Sequence, residues 1–314
     1  MRKVARPLTL QLPGLNCLPR PLATVVFHYS QTQDYKPEFT SMNRPNDDAR
    51  AVEKLAAEYQ ARPAGLKDIL LLVPAGKLEV RRAEYPHVDV LPLKFASSEL
   101  QAGHWRFLMG AVGNQAKELA SMRLDLAEDY IDDTARLGEV IRPGRLVIVD
   151  LRDEFVENDE ALGLFVVLLQ LFADATFQGQ SFKKLVVFDE AHKYIGNPDL
   201  VDGLVSVVRE MHHKGTSILV ASQDPPSVPV ALIELSSQIL LHRFNSQAWL
   251  KHIQKANAAL LGLTLEQLAG LQPGEAFVWS SKASDADFSK EAVKVLLRPR
   301  ATLHGGATKT AVGE

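Results

Sequence analysis

The feature that most constrains the fold is a short, unbroken apolar run that ends in two acids. Residues 185–188 (Leu-Val-Val-Phe) lead directly into Asp189-Glu190. A run without polar alternation is typical of a parallel strand that is covered on both faces. At the end of such a strand, an aspartate can hold the water shell of Mg²⁺, and a glutamate beside it can take a proton from water. The pattern therefore predicts a Walker B segment.

A second apolar run follows at a compatible distance. Residues 218–221 (Ile-Leu-Val-Ala) end in Ser222-Gln223, and Gln223 lies 33 residues after Glu190. Because the carboxyl ends of neighbouring parallel strands meet at one edge of a sheet, we expect the strands that end at Asp189 and at Ser222 to lie side by side. Gln223 would then offer a neutral amide to a phosphate bound beside Asp189.

Further apolar runs recur along the chain, with helical stretches between them. Residues 47–60, 161–172 and 200–211 are predicted helices, and Thr264 with Gln267 forms a capping-box pattern. The alternation predicts an α/β fold with a mostly parallel sheet and helices on both faces. The predicted strands are Thr24–Tyr29, Ile69–Val73, Val88–Leu93, Leu146–Asp150, Leu185–Asp189, Ser217–Ser222, Ile239–Phe244 and Ala276–Ser280.

The expected domain organisation is one large core between two less regular ends. Residues 1–22 form an irregular, proline-broken extension, residues 23–297 form the core, and residues 298–314 form a flexible or docking tail. Residues 97–139 carry no strand signal, so they are predicted to be a helical insertion in the core. With 46% hydrophobic residues, the chain can bury a core of this size.

Composition argues against several classes of protein. The net charge is −3, so no global positive field favours nucleic acid. The single cysteine, Cys17, excludes an internal disulfide and is consistent with a reducing, cytoplasmic compartment. The longest apolar run, 161–169, is far shorter than the roughly 20 residues that span a bilayer. Any contact with DNA would therefore come from local loops, and no membrane contact is expected.

Two alternatives compete with Asp189 and Glu190. Asp150 also ends an apolar run and is followed by Asp153-Glu154, but it lacks an adjacent glutamate, so a plain strand terminus is the favoured interpretation. The string Asp189-Glu190-Ala191-His192 matches the DEAH letters of two-lobed helicases. Those enzymes need a Ser-Ala-Thr segment and a later arginine-rich motif, and neither pattern follows here. The helicase interpretation is therefore set aside.

These motifs together resemble the FtsK–HerA superfamily of ring-shaped DNA-pumping ATPases. The resemblance is carried by residues 185–190, by residues 218–228 (ILVASQDPPSV) and by the strand that ends in residues 242–246 (HRFNS). It covers roughly residues 24–281, most densely 146–281, and implies a RecA-like fold. It also implies a homo-oligomeric ring on double-stranded DNA, with ATP and Mg²⁺ as cofactors.

The resemblance assigns a role to each candidate residue of the nucleotide site. Asp189 would coordinate Mg²⁺ through water and Glu190 would activate the attacking water. Gln223 would sense the γ-phosphate, with Ser222 beside it at the nucleotide. More loosely, the C-terminal half resembles ATP-binding proteins of anti-phage defence loci, for which a nuclease or other defence subunit would be the partner.

The trans-acting arginine of this superfamily has no direct counterpart. It lies about eleven residues before the sensor glutamine, and counting back from Gln223 gives His212. A mostly neutral histidine cannot replace a guanidinium. Arg209, one helical turn earlier, is the first substitute, and Arg243 is the second. For both residues, a solvated surface arginine remains the alternative.

The superfamily's phosphate-binding loop also has no counterpart. No G-x-x-x-x-G-K-[ST] occurs in the 314 residues. Gly76-Lys77 lacks the preceding glycine, and residues 305–310 (GGATKT) have no following helix, so both are interpreted as loops. The expectation is a member that has lost, or never included, an N-terminal loop segment. A truncated gene product, a misplaced start codon and a split gene all fit, and a degenerate, non-catalytic subunit is the alternative function.

Overall fold

The chain folds into two compact units. The computed structural model describes residues 21–110, 130–196, 198–211 and 213–306. One unit comprises residues 1–221 and 300–314, and the other comprises residues 222–299. The predicted core, 23–297, therefore spans both units, and its bounds stay a prediction.

The first unit is built on a six-stranded sheet in which every neighbouring pair is parallel. The order is β3-β2-β4-β1-β5-β6. The strands are β1 (Ala23–Ser30), β2 (Ile69–Val73), β3 (Asp89–Pro92), β4 (Leu146–Arg152), β5 (Lys184–Phe188) and β6 (Thr216–Val220). The predicted α/β, RecA-like fold class is confirmed.

The unbroken apolar runs are explained by burial of the sheet on both faces. On one face, alternate residues such as Val26, Ile148 and Val187 pack with Phe39 and Leu78. The residues between them face the other way.

On that opposite face, Phe27 stacks on Phe165 with 4.6 Å between ring centroids, and its ring meets the edge of Phe188 at 5.1 Å. Apolar packing on both faces explains why residues 146–149 of β4 and 185–188 of β5 are unbroken apolar runs.

The helices of this unit follow the strands. They are α1 (Ala49–Tyr59), α2 (Leu78–Glu84), α3 (Ala102–Gly110), α4 (Leu137–Val140), α5 (Asn158–Asp174) and α6 (Pro198–Met211). Asp48 caps α1 by accepting from the Ala51 amide at 2.7 Å. The predicted buried helix is α5, where eleven of its 17 residues are buried, so it packs as a core helix. Of the predicted insertion, residues 111–129 lie outside the described part.

The second unit has its own small antiparallel sheet in the order β7-β8-β9. Its strands are β7 (Gln238–Leu241), β8 (Glu275–Ser280) and β9 (Val293–Leu296), and its helices are α7 (Val230–Glu234), α8 (Gln247–Ala256), α9 (Leu265–Ala269) and α10 (Ala286–Lys290). Two predicted strands, Ile239–Phe244 and Ala276–Ser280, thus belong to this sheet rather than to the parallel one. Their apolar runs look the same in the sequence because both sheets cover a buried core. The capping box between Thr264 and Gln267 is confirmed.

Residues 300–306 dock on the first unit. The Ala301 carbonyl accepts from the amides of Asn46 and Ala64, at 3.1 and 2.9 Å, and Thr302 bridges to Pro45. Ala301 and Thr302 are buried. Among the described residues, no helix has the length and apolar character needed to cross a bilayer.

Candidate functional site

The predicted acid pair lies at the carboxyl edge of the parallel sheet. Asp189 follows β5 directly, and its amide still donates to the Phe27 carbonyl of β1 at 3.0 Å. The Ala191 amide, two residues on, donates to the Ala221 carbonyl beyond β6 at 2.8 Å. The predicted pairing of these two strands is confirmed by the β5–β6 register, which runs from Lys184 with Thr216 to Phe188 with Val220.

Glu190 occupies a strained backbone conformation. Its φ of 49° is in the left-handed region, which residues other than glycine rarely adopt. Strain of this kind persists only where surrounding contacts hold it, and it concentrates at functional sites. Here the backbone amides of Asp189 and Ala191, on either side of Glu190, are held by their hydrogen bonds to Phe27 and Ala221. The turn leaves the Glu190 side chain partly exposed.

His192 lies beside the Glu190 carboxylate. Its Nε2 is 3.5 Å from Glu190 Oε2, and its Nδ1 is buried without a hydrogen-bond partner among the described residues. A buried polar atom without a partner is uncommon and costs free energy. The strand end therefore carries two partly exposed acidic groups with an unsatisfied imidazole nitrogen next to them.

Asp189 is held from inside the sheet by a histidine of the central strand. His28 is fully buried, and its Nδ1 lies 3.3 Å from Asp189 Oδ2. Its Nε2 lies 2.8 Å from the Tyr35 carbonyl oxygen. The Tyr194 hydroxyl donates to the Asp189 carbonyl at 3.0 Å. Asp189 thus has fixed contacts through both its backbone and its side chain.

The loop after β1 covers this histidine with the Tyr35 ring, and Lys193, from the turn after β5, lies over that ring. The Tyr35 ring stacks on His28 with 5.4 Å between centroids, and Lys193 Nζ lies 3.3 Å from the Tyr35 centroid. Partial burial and the Glu190 and Asp189 charges raise the pKa of Tyr35 to about 12. Burial lowers the pKa of Lys193, although the same two carboxylates oppose this shift. Lys193 is thus a cation close to this edge of the sheet.

Asp150, the rival acid, is enclosed in a buried ion cluster. Its carboxylate accepts from Arg152 Nε at 2.9 Å and from Arg152 Nη2 at 2.7 Å, and Arg81 Nε lies 3.3 Å away. Arg152 also bonds to Glu84 and to the Tyr85 hydroxyl. Burial would lower the pKa of Arg152, but the Asp150 contacts outweigh it and raise that pKa.

Asp150 and Arg152 are both 0% exposed. Their contacts already occupy the Asp150 carboxylate, which leaves it no access to a phosphate or a metal. The favoured interpretation of Asp150 as a strand terminus is corrected in one respect, because β4 continues through Arg152 and Asp150 lies inside the strand.

The Gly76-Lys77 turn lies at the same sheet edge but away from Asp189. It connects β2 to α2, and two strands, β4 and β1, separate β2 from β5. Lys77 Nζ is 3.6 Å from both Asp153 and Glu154. The lysine is thus neutralised by local acids, in keeping with its interpretation as a loop residue. Gly305 and Gly306, of the other glycine-containing stretch, pack against Ser41 and Glu38.

The remaining predicted site residues lie on α6, just after it and in the second unit. Arg209 is exposed in the last turn of α6, and His212 lies outside the described residues. Ser222, Gln223 and Arg243 belong to the second unit. Ser222 Oγ donates to the Asp224 carbonyl at 3.0 Å, while Gln223 and Arg243 are exposed. Their roles stay predictions.

Sequence reasoning missed the groups that surround Asp189. His28, Tyr35 and Lys193 come from β1, from its following loop and from the turn after β5. One signal was available for His28, because a histidine inside the apolar run of β1 must find a partner when buried. Which partner it finds depends on the pairing of β1 with β5, and the sequence of neither segment predicts that pairing.

The donor set suits a hydrated magnesium ion better than a metal cage. No group of three or more His, Cys, Asp and Glu residues converges within the described ranges. Mg²⁺ usually keeps several waters and takes only one or two carboxylates. Asp189 and Glu190 are adjacent and both partly exposed, so they fit that kind of binding. A glycine-rich cradle for phosphates does not occur in the sequence.

No family model matches the chain, and curated proteins give no match. Several solved structures match the chain. VirB4 of Thermoanaerobacter pseudethanolicus is 12% identical with a TM-score of 0.45, covering 87% of this chain and 88% of that one. The genome packaging NTPase B204 of Sulfolobus turreted icosahedral virus 2, in complex with ATPγS, is 8% identical with a TM-score of 0.37, covering 88% and 98%.

The bacterial conjugative coupling protein TrwBΔN70 is 10% identical with a TM-score of 0.41, covering 91% of this chain and 81% of that one. These neighbours are of the FtsK–HerA type that the sequence resembles. At such identities the similarity concerns the fold, and at such TM-scores it carries no weight for the activity of this chain.

Proposed function

We propose that this chain is the ATP-binding subunit of an FtsK–HerA-type DNA translocase that acts as a homo-oligomer on double-stranded DNA. One observation carries the proposal. The Asp189-Glu190 pair stands at the carboxyl end of a central parallel strand, next to β6, with Glu190 in a strained left-handed conformation. Ligands of open α/β sheets bind at this edge, and two adjacent carboxylates there suit a hydrated metal with a water to be activated.

The chain's own residues would divide the chemistry between them. Asp189 would hold the water shell of the metal through the oxygen that His28 leaves available. Glu190 would take the proton of the attacking water, and Gln223 would contact the γ-phosphate. When bound, Mg²⁺ supplies positive charge to the transferring phosphoryl group. Lys193, which lies over the Tyr35 ring, would supply a positive charge at the same edge.

A second candidate function is supported by the missing phosphate cradle. No glycine-rich phosphate loop occurs in the 314 residues. The lysine of the nearest glycine–lysine turn, Lys77, is paired with Asp153 and Glu154. Backbone amides and the lysine of such a loop supply most contacts to a triphosphate. Without them the chain would keep the fold and its interfaces but not turnover, as a degenerate subunit of the same assembly.

Sedimentation separates the two functions. The translocase proposal expects the chain to associate into a ring when ATP, Mg²⁺ and double-stranded DNA are present together. A strict monomer under all four combinations of ATP and DNA would reject the ring translocase and leave the degenerate subunit. A nuclease or other defence subunit, the partner expected from the looser resemblance, can be added in the same experiment.

Calorimetry measures the consequence of the missing cradle. We expect ATP·Mg²⁺ to bind this chain with a Kd well above the micromolar range, because the phosphate donors of a glycine-rich loop are lacking. Micromolar or tighter binding would mean that another segment cradles the phosphates. In that case Asp189→Ala would tell whether the bound nucleotide still lies at this edge.

A further inference from the structure

The side chain of His28 contacts both Asp189 and the loop that follows β1. It sits on central strand β1, opposite Asp150 in the register with β4. Its side chain is 0% exposed. Burying a polar ring in the middle of a sheet costs free energy unless both nitrogens are satisfied. Both ring nitrogens of His28 have a partner here, so the orientation of the ring is fixed.

The hydrogen-bond inventory of the ring constrains Asp189. A backbone carbonyl can only accept, so His28 Nε2 must donate to the Tyr35 oxygen, 2.8 Å away. The Nδ1 contact with Asp189 Oδ2, at 3.3 Å, then holds a single proton between the two groups. Whichever group carries that proton, the bond fixes the rotation of the carboxylate. Oδ1 is the oxygen that this contact leaves for another partner.

The loop above His28 is itself anchored on the ion cluster of Asp150. Arg152 Nη1 donates to the Gln33 carbonyl at 2.9 Å, and Lys36 Nζ lies 2.8 Å from Glu84 Oε1. Residues 33 and 36 flank Tyr35, whose carbonyl accepts from His28. The contacts therefore run without a break from the buried ion cluster, through the loop and His28, to Asp189.

We propose that His28 is a positioning residue that orients the Asp189 carboxylate, so that one oxygen is presented to a hydrated divalent cation. The proposal rests on the metal-dependent function proposed above. A purely structural role is not needed to join the strands, since β1 and β5 are already held by their ladder from Ala23 with Lys184 to Phe27 with Phe188. Groups that orient a metal ligand in this way typically change metal affinity by about 10–100-fold when removed.

Two substitutions of His28 separate its two hydrogen bonds. In His28→Asn the amide nitrogen takes the place of Nδ1, so the bond to Asp189 is kept and the bond to Tyr35 is lost. In His28→Gln the amide reaches the place of Nε2, so the bond to Tyr35 is kept and the bond to Asp189 is lost. The variants remove the same ring and differ in which partner remains.

The first readout is cation affinity, with Mn²⁺ as the probe and electron paramagnetic resonance as the measurement, with and without ADP. We expect His28→Asn to bind within about threefold of the wild type and His28→Gln to bind at least about tenfold more weakly. Equal losses in both variants, matched by equal drops in melting temperature, would reduce His28 to a packing residue and overturn the proposal.

The second readout needs no metal or nucleotide. Ring ¹⁵N resonances of His28, assigned by their loss in the two variants, should shift at Nδ1 when Asp189 is changed to Ala. An unchanged Nδ1 resonance would overturn the contact itself. If instead the contact is present but the wild type binds no Mn²⁺, the metal-dependent function fails and the positioning role fails with it. The two failures are thus told apart.

Discussion

Two strands of the sheet, β4 and β5, lie on either side of β1 and place an aspartate in opposite environments. Near the carboxyl end of β4, Asp150 is fully buried and saturated by Arg152 and Arg81. At the end of β5, Asp189 is partly exposed, no arginine contacts it among the described residues, and the next residue has a strained backbone. The same apolar run ending in aspartate thus produces a structural cluster in one strand and an open edge in the next.

The difference comes from partners that lie elsewhere in the chain. Arg81 belongs to α2 and Arg152 follows Asp150 within the extended β4, so both guanidinium groups are delivered to the same carboxylate. Strand β5 stops at Phe188, and the chain turns at Glu190 instead. A strand that continues past its acid buries it, whereas a strand that turns there exposes it. The two acids therefore differ in the solvent accessibility of their carboxylates and not in the sequence pattern that precedes them.

The largest expected effect tests whether the catalytic base lies at the end of β4 or at the end of β5. In a preparation that hydrolyses ATP, whether this chain alone or with a component that restores phosphate binding, Glu190→Gln should lower kcat by about 10²–10⁴-fold. The amide keeps the shape of the side chain and cannot take the proton, so nucleotide affinity should stay within a few fold. Steady-state kinetics and nucleotide titration measure the two quantities.

A matched control for that variant is Glu154→Gln, which changes an exposed acid beyond β4. Glu154 contacts Lys77 and Gln33 and should leave kcat within about twofold. Near-normal turnover by Glu190→Gln together with a loss in Glu154→Gln would move the base to the end of β4 and reverse the comparison.

The next effect tests which of the two aspartates contributes more to the stability of the fold. Asp150→Ala leaves the buried Arg152 and Arg81 with Glu84 as their shared acidic partner, and removing one member of a buried ion cluster costs about 3–5 kcal/mol of stability. Asp189→Ala removes a partly exposed carboxylate and should cost about 1 kcal/mol. Urea unfolding of both variants under the same conditions checks the ratio. Equal losses would show that the two acids serve the fold alike.

How far the sequence predicts this molecule depends on whether the signal is local. The six parallel strands and the Asp189-Glu190 pair follow from apolar runs and their ends, which are local. The enclosure of Asp150 needs Arg81 of α2, and the His28 contact needs β1 to pair with β5. Both contacts join segments that are far apart in the sequence, so no single apolar run predicts them. The antiparallel sheet was missed for a related reason, since the short run of β9 alternates weakly and gains its partner only through β8.

A smaller effect compares the two ends of β5 itself. At its amino end, Lys184 is 1% exposed, donates to the Ala173 carbonyl at 3.0 Å, and has its pKa lowered by burial to about 8. The unfolded chain, with a lysine pKa near its usual value of 10.5, binds more protons than the folded chain between these two values. Stability from this group is therefore reduced below pH 8 and recovered as the pH rises toward 10.5.

Wild type and Lys184→Met, unfolded in urea at pH 7.5 and pH 10, measure this contribution. Relative to the variant, the wild type should gain about 2 kcal/mol over that interval. Tyrosines with raised pKa values are common to both proteins and cancel in the difference. Lys183→Met, which changes the exposed neighbouring lysine, should give no such gain. A flat difference for Lys184→Met would show that its ammonium group is as well solvated when folded as when unfolded.

The smallest expected effect follows from the missing arginine at the end of β5. Asp150 has two arginines of its own chain, but Asp189 has none in contact among the described residues, so we propose that a neighbouring copy supplies an arginine to the site. Arg209 is exposed on α6, whose Leu204 and Met211 are buried, so the arginine points away from the core. Arg209→Glu should therefore weaken ring assembly or DNA-stimulated hydrolysis by about tenfold, or about 1.4 kcal/mol, without changing the melting temperature.

Glu210→Arg is the matched charge change on the same exposed turn. Under the interface proposal it should not reproduce the loss, because it adds positive charge where a cation is wanted. Sedimentation with ATP and DNA, alongside a melting curve for each variant, separates the outcomes. Equal assembly by both variants would leave Arg209 as a solvated surface residue. The cation that completes the end of β5 would then have to be sought at Arg243 or at Lys193, which already lies over Tyr35.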